Sequence, residues 1–398
     1  MDERRPQWWL VSAGALAILT LALSGWAERG ATLALASLVG ALAGLSLYHA
    51  AFGFTAGWRR FIRERRAAGI RAQCLLIGLT TVFALTIIHY GDAVGIRAGG
   101  FVFPFGLSVA IGAFMFGLGM QLGGGCGSGT LFTVGGGSTR MFVTLAFFIL
   151  GGLIATYHWS FWQTLPRLPA ITLARTPIGP TGAILLTITL LTAIALQATR
   201  IERRRHGGLA HGAAQGSFLC GPWSLLTGAL ALTLVGVLTL LVLGRPWGVT
   251  SGLTLWGAQI ANTVGVPVAE WPYWANAMGA VEAQITASST SIMNLGLMAG
   301  AFVAAALAGK FAPKLNLSAR DVATAIAGGL LMGYGARIGY GCNIGALLGG
   351  IASGSLHGWG WLVFAALGSV LGVRVREAIG MDPPLTAPKP APAPATSG

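Results

Sequence analysis

Two cysteines sit in nearly identical glycine-rich strings. Gly117, Gly119, Gly123, Gly125, Cys126 and Gly129 recur as Gly333, Gly335, Gly339, Gly341, Cys342 and Gly345. Every anchor is displaced by the same 216 residues (342 minus 126), without a gap. A thiol is a soft, polarizable group that suits contact with another sulfur. A repeat centred on cysteine implies that two halves of one protein each bring a sulfur to one site.

The glycines have a matching role. A run such as Gly123, Gly124 and Gly125 does not sustain a helix, and glycine lets a ligand approach the main chain. A break of this kind within a membrane persists only where it lines a polar cavity or is buried in protein. Where a helix resumes after the break, its N–H groups and positive dipole end face back toward it. Two such breaks facing each other make a waist that favours a small anion. The same pattern would also serve close helix packing, with cysteine as a small buried hydrophobe.

Arg337 lies five residues before Cys342 in an apolar stretch. An intramembrane arginine costs at least ~2.5 kcal/mol unless paired or hydrated, so it is read as functional. Its repeat-mate is Gln121, so one half supplies a cation and the other a neutral amide. Asn343, Ser128 and Thr130 are further hydrogen-bonding candidates beside the cysteines. Cys74 and Cys220 lack the glycine setting and read as structural. No C-x-x-C pair and no metal-ligand spacing of histidines occurs, so neither a metal nor a cofactor is expected. The substrate pathway is therefore expected to involve Cys126, Cys342, Arg337, Gln121, Gly123, Gly124, Gly125, Gly129, Gly339, Gly341, Asn343 and Gly345.

The elements that position these residues must be membrane helices. The 398 residues are 54% hydrophobic and only 9% charged, against about 25% charged in soluble domains. Mean hydropathy is +0.72. Apolar runs long enough to cross a bilayer fall near 9–27, 31–52, 72–90, 105–122, 141–159, 180–199, 222–243, 291–309, 321–338 and 358–376. The net charge of +14 reflects basic loops of the positive-inside kind rather than a nucleic-acid surface.

Arg59 to Arg71, Arg200 to Arg205, and Arg374 with Arg376 mark cytoplasmic segments, and Arg4 and Arg5 put the N-terminus inside as well. Loops holding Arg97, Arg167 and Arg175 then face out. Residues 246–290 contain no Lys or Arg, are broken by Pro267 and Pro272, and are expected to form an outer re-entrant hairpin. The Cys126 loop then follows a span reaching the inner face and the Cys342 loop one reaching the outer face. This makes two inverted repeats, unless 246–290 crosses an odd number of times, which makes them parallel. The expected organisation is one all-α membrane domain, 1–382, of about ten helices. Its repeats cover about 31–200 and 222–380, with an extra N-terminal helix at about 9–27. Residues 383–398 read as a disordered Pro/Ala-rich tail.

The two strings resemble the YeeE/YedE family of bacterial membrane proteins, associated with sulfur transport and thiosulfate uptake. Its hallmark is a G-x-G-x-x-x-G-x-G-C-x-x-G loop in each half. The resemblance implies an hourglass-like inner-membrane protein in which Cys126 and Cys342 line a central path and pass thiosulfate through sulfur contacts. Family members often carry an early cysteine in a string similar to Ala51–Arg59, and here Gly53 stands at that place. The resemblance also implies a cytoplasmic TusA-like sulfur carrier or rhodanese as partner. Two other readings stay open. One is a membrane thiol enzyme, either a sulfurtransferase or a disulfide-exchange protein; the other is an inactive structural subunit.

Overall fold

The computed structural model describes residues 5–210 and 216–382. The tail expected at 383–398, and Arg4, lie outside the described residues. Almost everything described is helical. Helix α1 (Trp8–Arg29) is continuous and presents Trp8, Leu16, Leu23 and Trp26 outward, as a lipid-facing helix does. Next come α2 (Ala31–His49), the short α3 (Phe54–Glu64) and α4 (Ala68–Tyr90). Strand β1 (Pro104–Gly106) leads into α5 (Leu107–Gly123), and the short α6 (Gly127–Gly135) precedes α7 (Thr139–Tyr157). Helix α8 (Trp159–Thr164) and strand β2 (Arg167–Ala170) follow, with β2 pairing antiparallel to β1. Helix α9 (Gly179–His206) ends the first half.

The second half holds α10 (Leu225–Leu243), α11 (Val249–Thr263), α12 (Met278–Glu282), α13 (Ser289–Leu307) and α14 (Ala319–Ile338). A π-helical turn, Asn343–Gly349, runs into α15 (Gly350–Ala352), and α16 (Leu356–Ala378) closes the described chain. Nine segments among the described residues are long and apolar enough to cross a membrane. The expected span at 321–338 is helix α14, which lies buried between α5 and α7 and is not among those nine. The 15-residue α11, at 1.5 Å per residue, is about 22 Å long, shorter than a bilayer core.

The two halves pack in corresponding pairs. Helix α7 lies on α14, and its counterpart α16 lies on α5; α2 lies on α13, and α10 lies on α4. Glycine makes these approaches close. A Cβ on Gly44 would strike the Leu297 carbonyl, and one on Gly300 would strike that of Ala41, so α2 and α13 interlock reciprocally. Such small-residue contacts bring membrane helices together where no hydrophobic drive exists between them. The first two glycines of each copy of the motif are used this way. Gly117 abuts the Ala365 carbonyl, Gly119 that of Gly328, Gly333 that of Phe148 and Gly335 that of Gly112.

The basic segments gather on one side of the bundle. Arg66, between α3 and α4, and Arg71, in the first turn of α4, both reach Glu202 near the end of α9, at 3.3 and 3.1 Å. Arg63 reaches Glu377 at the end of α16 at 2.8 Å. Arg140 at the start of α7 lies 3.7 Å from Asp321 at the start of α14.

Candidate functional site

Both motif breaks occur where the glycines place them. Helix α5 ends at Gly123, and Gly124 takes φ +95°, a conformation that strains any residue with a side chain. Cys126 then caps α6: its Sγ accepts the Gly129 amide at 3.4 Å and lies 3.6 Å from Ser128 Oγ. In the second half α14 ends at Ile338, and Gly341 takes φ +148°. Cys342 precedes the π-helical turn and makes no capping bond.

The two loops meet. A Cβ placed on Gly127 would lie 3.1 Å from Cys342 Sγ and 3.4 Å from Thr250 Cγ2. The second sulfur thus lies against the residue that follows the first cysteine. Both cysteines are free thiols with exposures of 2% and 0%. Gly129 and Gly345 are less crowded than the other motif glycines. A Cβ on Gly129 would meet only Cys126 Sγ, and one on Gly345 only the Trp247 carbonyl at 3.7 Å.

Unspent hydrogen-bonding capacity collects beside Cys342. Asn343 is fully buried, yet both Oδ1 and Nδ2 lack partners. Trp247 Nε1 and Asn294 Oδ1 are also buried and unpartnered, while Asn294 Nδ2 holds the Val249 carbonyl at 2.9 Å. Each unsatisfied buried group costs about 1–3 kcal/mol. A ligand that hydrogen-bonds them recovers that cost.

The other expected site residues distribute differently. Gly123, Gly125 and Gly339 pack against neighbours: Met332 and Thr144, Met141, and the Gly335 carbonyl respectively. Gln121 is buried at the end of α5. Its Nε2 lies 3.4 Å from the Thr55 carbonyl, and its Oε1 lacks a partner. Arg337 points into an aromatic group: NH1 donates to Tyr273 Oη at 2.7 Å, and the guanidinium lies over the rings of Tyr273 and Trp159 at 5.2 and 5.3 Å. Cation–π stacking of this kind steadies a charge with little water around it.

The end of α5 is held by two arginines. Arg140 donates to the carbonyls of Gly123 and Leu122 at 2.9 and 2.8 Å, and Arg376 to that of Gln121 at 2.7 Å. Cations at a helix C-terminus satisfy its last carbonyls and oppose its dipole.

Thr250 belongs to the junction and escapes a motif search centred on cysteine. A second internal echo points to it. Gly53, Thr55 and Gly57 recur as Gly248, Thr250 and Gly252, displaced by 195 residues (248 minus 53). Gly53 is the N-cap of α3 and Gly248 the N-cap of α11. The short helices are therefore counterparts, and α3 packs on α5 as α11 packs on α14.

A small apolar cavity of about 50 Å³ flanks the junction, bounded by Leu47, Thr80, Val235, Trp247, Ile344 and Leu348, with Ser128 at its edge. Among the described residues no group of three metal-ligating side chains occurs.

Residues 49–371 match the family model described as Sulphur transport. A probable transporter of Escherichia coli strain K12, YedE, is 32% identical over 152 residues, which cover 38% of this chain and 37% of that protein. The match to it thus spans little more than a third of the relative's length. The thiosulfate transporter TsuA of the same organism is 27% identical over 350 residues, covering 83% of this chain and 91% of the relative. TsuA of Spirochaeta thermophila is 26% identical over 283 residues, covering 65% and 74%. The family match runs from the end of α2 into α16 and takes in both Gly-Cys loops and both Gly-x-Thr helices; this multi-pass membrane protein belongs to the Sulphur transport family.

Proposed function

We propose that the protein carries thiosulfate, or a closely related sulfur oxyanion, across the bacterial inner membrane through the junction of its two Gly-Cys loops. The observation that carries this reading is the seat of Cys342 Sγ against Gly127, beside the unpartnered side chain of Asn343. A sulfur anion presents a soft terminal sulfur and hard oxygens. The two thiols suit the first, and the unpartnered amide of Asn343 suits the second. Thiosulfate transport by the TsuA relatives supports the substrate class. A transporter rather than an enzyme fits a family described by transport.

The gathering of Arg63, Arg66, Arg71 and Arg140 on one side supports a cytoplasmic face there, with both chain ends inside. The paired packing of corresponding helices supports two inverted repeats about a central waist. Electrical work limits the mechanism. A dianion entering against 100 mV faces about 4.6 kcal/mol, at roughly 2.3 per charge. Net import therefore needs a coupled ion or consumption of the anion inside, a role that a TusA-like carrier or a rhodanese would fill.

Uptake of labelled thiosulfate by cells lacking other importers tests the reading. Cys126→Ala with Cys342→Ala is expected to abolish uptake while leaving protein abundance unchanged. Full uptake by that double variant removes the cysteines from the mechanism.

A further inference from the structure

On the arginine-rich side, α3 packs against α16 and touches α5. Arg376 joins these elements. Its NH1 holds the Gln121 carbonyl, and its Nε and NH2 donate to the two oxygens of Asp382 at 2.8 and 2.6 Å. Arg63 Nε donates to Glu377 at 2.8 Å and lies 4.0 Å from the Asp382 carboxylate. Arg59 stands in this group too, faced by Arg376, Asp382, Arg60 and Arg63. It is only partly exposed and makes no hydrogen bond or ion pair among the described residues. Farther along, Thr55 Oγ1 and Gln121 Oε1 are buried and unpartnered, with exposures of 3% and 0%. Three guanidinium groups thus converge on one carboxylate, and the unsatisfied Thr55 and Gln121 atoms belong to the neighbouring α3 and α5.

We propose that Arg59, Arg63 and Arg376 form a binding site for a tetrahedral divalent oxyanion at the inner end of the path, and that Asp382 occupies it as a tethered competitor. The fork of Arg376 grips two oxygens of Asp382 side by side, the geometry in which it would grip two oxygens of a sulfonate-like group. A carboxylate brings one negative charge to this site and a sulfur dianion brings two, so the dianion answers the surplus cation at Arg59. Asp382 is held close by a turn in which the Met381 amide donates to the Arg376 carbonyl at 2.9 Å. Its effective concentration is therefore high, in the millimolar range for a short tether, and a free anion must displace it. The site's identity as a station for thiosulfate rests on the transport reading; its affinity for an oxyanion does not.

Calorimetric titration of the purified full chain with sodium sulfate and with sodium thiosulfate, at fixed ionic strength, tests the proposal. Asp382→Asn is expected to tighten binding of both by about tenfold through loss of the tethered competitor. Arg59→Gln is expected to weaken both by about tenfold, a loss typical of one charge-assisted contact. Arg59 makes no hydrogen bond or ion pair, and its attraction to Asp382 is opposed by repulsion from Arg376, Arg60 and Arg63, so Arg59→Gln should change thermal unfolding little. An Arg59→Gln isotherm identical to the unmodified protein's overturns the site. So does weaker binding by Asp382→Asn, or sulfate binding absent from both the unmodified protein and Asp382→Asn. Cell uptake of thiosulfate is read in parallel. Normal uptake with an indifferent Arg59→Gln isotherm removes the inner site alone. Absent uptake with the expected sulfate shifts removes the transport reading and keeps the site.

Discussion

The two Gly-Cys loops share a sequence pattern and differ in how fully they are satisfied. Cys126 caps a regular helix, with its sulfur engaged by Gly129 N–H and near Ser128. The helix before it ends on two arginines. Cys342 caps nothing, its chain continues as a π-turn, and Asn343 beside it is buried without a partner. The helix before it ends among rings: Tyr340 stacks on Phe103 at 4.8 Å, and Arg337 lies on Tyr273 and Trp159. Arg140 and Arg376 have Leu356 and Ser160 as their counterparts 216 residues away, so those positions bring no cation to the second end. The first loop is built as a fixed wall, and the second holds polar capacity in reserve. π-turns recur at functional sites for this reason: they leave main-chain and side-chain groups off the regular ladder.

The largest expected effect breaks the first loop's support. Arg140→Ala removes two charge-assisted bonds to the α5 carbonyls, each worth about 1.5 kcal/mol or more, and should cost about 3 kcal/mol. Tyr273→Phe removes only the 2.7 Å bond to Arg337 at the second end and should cost about 1.5–3 kcal/mol at most. Thermal unfolding in detergent ranks the two; equal losses would show that the ends are supported alike.

Next in size, and opposite in sign, is Asn343→Leu. The substitution replaces two unpartnered buried polar atoms with a side chain of similar volume. Stability should rise by about 1–2 kcal/mol because the desolvation cost disappears, and thiosulfate uptake should fall. A stability loss would mean that Asn343 is already satisfied in the empty protein.

Much of this was legible in the chain before any coordinates. Membrane class, helix positions and the breaks at Gly124 and Gly341 follow from composition and glycine spacing, because both are local physics. That the two Gly-Cys loops approach each other was suggested by the duplication alone, while the contact of Cys342 with Gly127 was not. The sorting of glycines was not legible: Gly117 and Gly119 touch carbonyls on α16 and α14, hundreds of residues away, while Gly129 lies against its own Cys126 sulfur and Gly345 is only loosely contacted. Spacing does not distinguish packing from opening. Thr250 was missed because the Gly53/Gly248 echo has a different displacement from the cysteine repeat. The arginine grip on α5 was hidden because Arg376 reads as a terminal charge and Arg140 carries no motif, and only the fold brings them to the helix end.

Acid tests the charged side against the waist. The hydrogen bond from Arg376, and then its charge with those of Arg59 and Arg63, hold Asp382 below the usual carboxylate range against an opposing burial effect. A lowered native pKa stabilises at pH above the unfolded value of about 3.9 and loses that stabilisation as pH falls through the native value. The stability difference between the unmodified protein and Asp382→Asn should therefore be flat from about pH 5 to 8 and shrink below about pH 4. A difference that changes between pH 6 and 7 would assign the contact to some other titrating group. The tethered carboxylate thus stays charged throughout the cellular range, and competition rather than protonation must displace it.

The smallest expected effect concerns Gly53, whose neighbourhood asks for no glycine. Its φ of −119° is open to any residue, and a Cβ there would meet only Ala56, at 3.7 Å and beyond. Gly53→Cys should therefore change stability by no more than about 0.5 kcal/mol, as surface-like substitutions do. Its counterpart Gly248 is more confined, since a Cβ there would lie 2.9 Å from Ser251 Oγ, so Gly248→Cys should cost more. Thiosulfate uptake by Gly53→Cys then isolates the chemistry of a third sulfur from any change in fold. Faster uptake would show that the path gains from a sulfur contact ahead of Gln121. Unchanged uptake would show that two thiols and Asn343 already suffice, leaving the asymmetry of the two loops, rather than the number of cysteines, to set the rate.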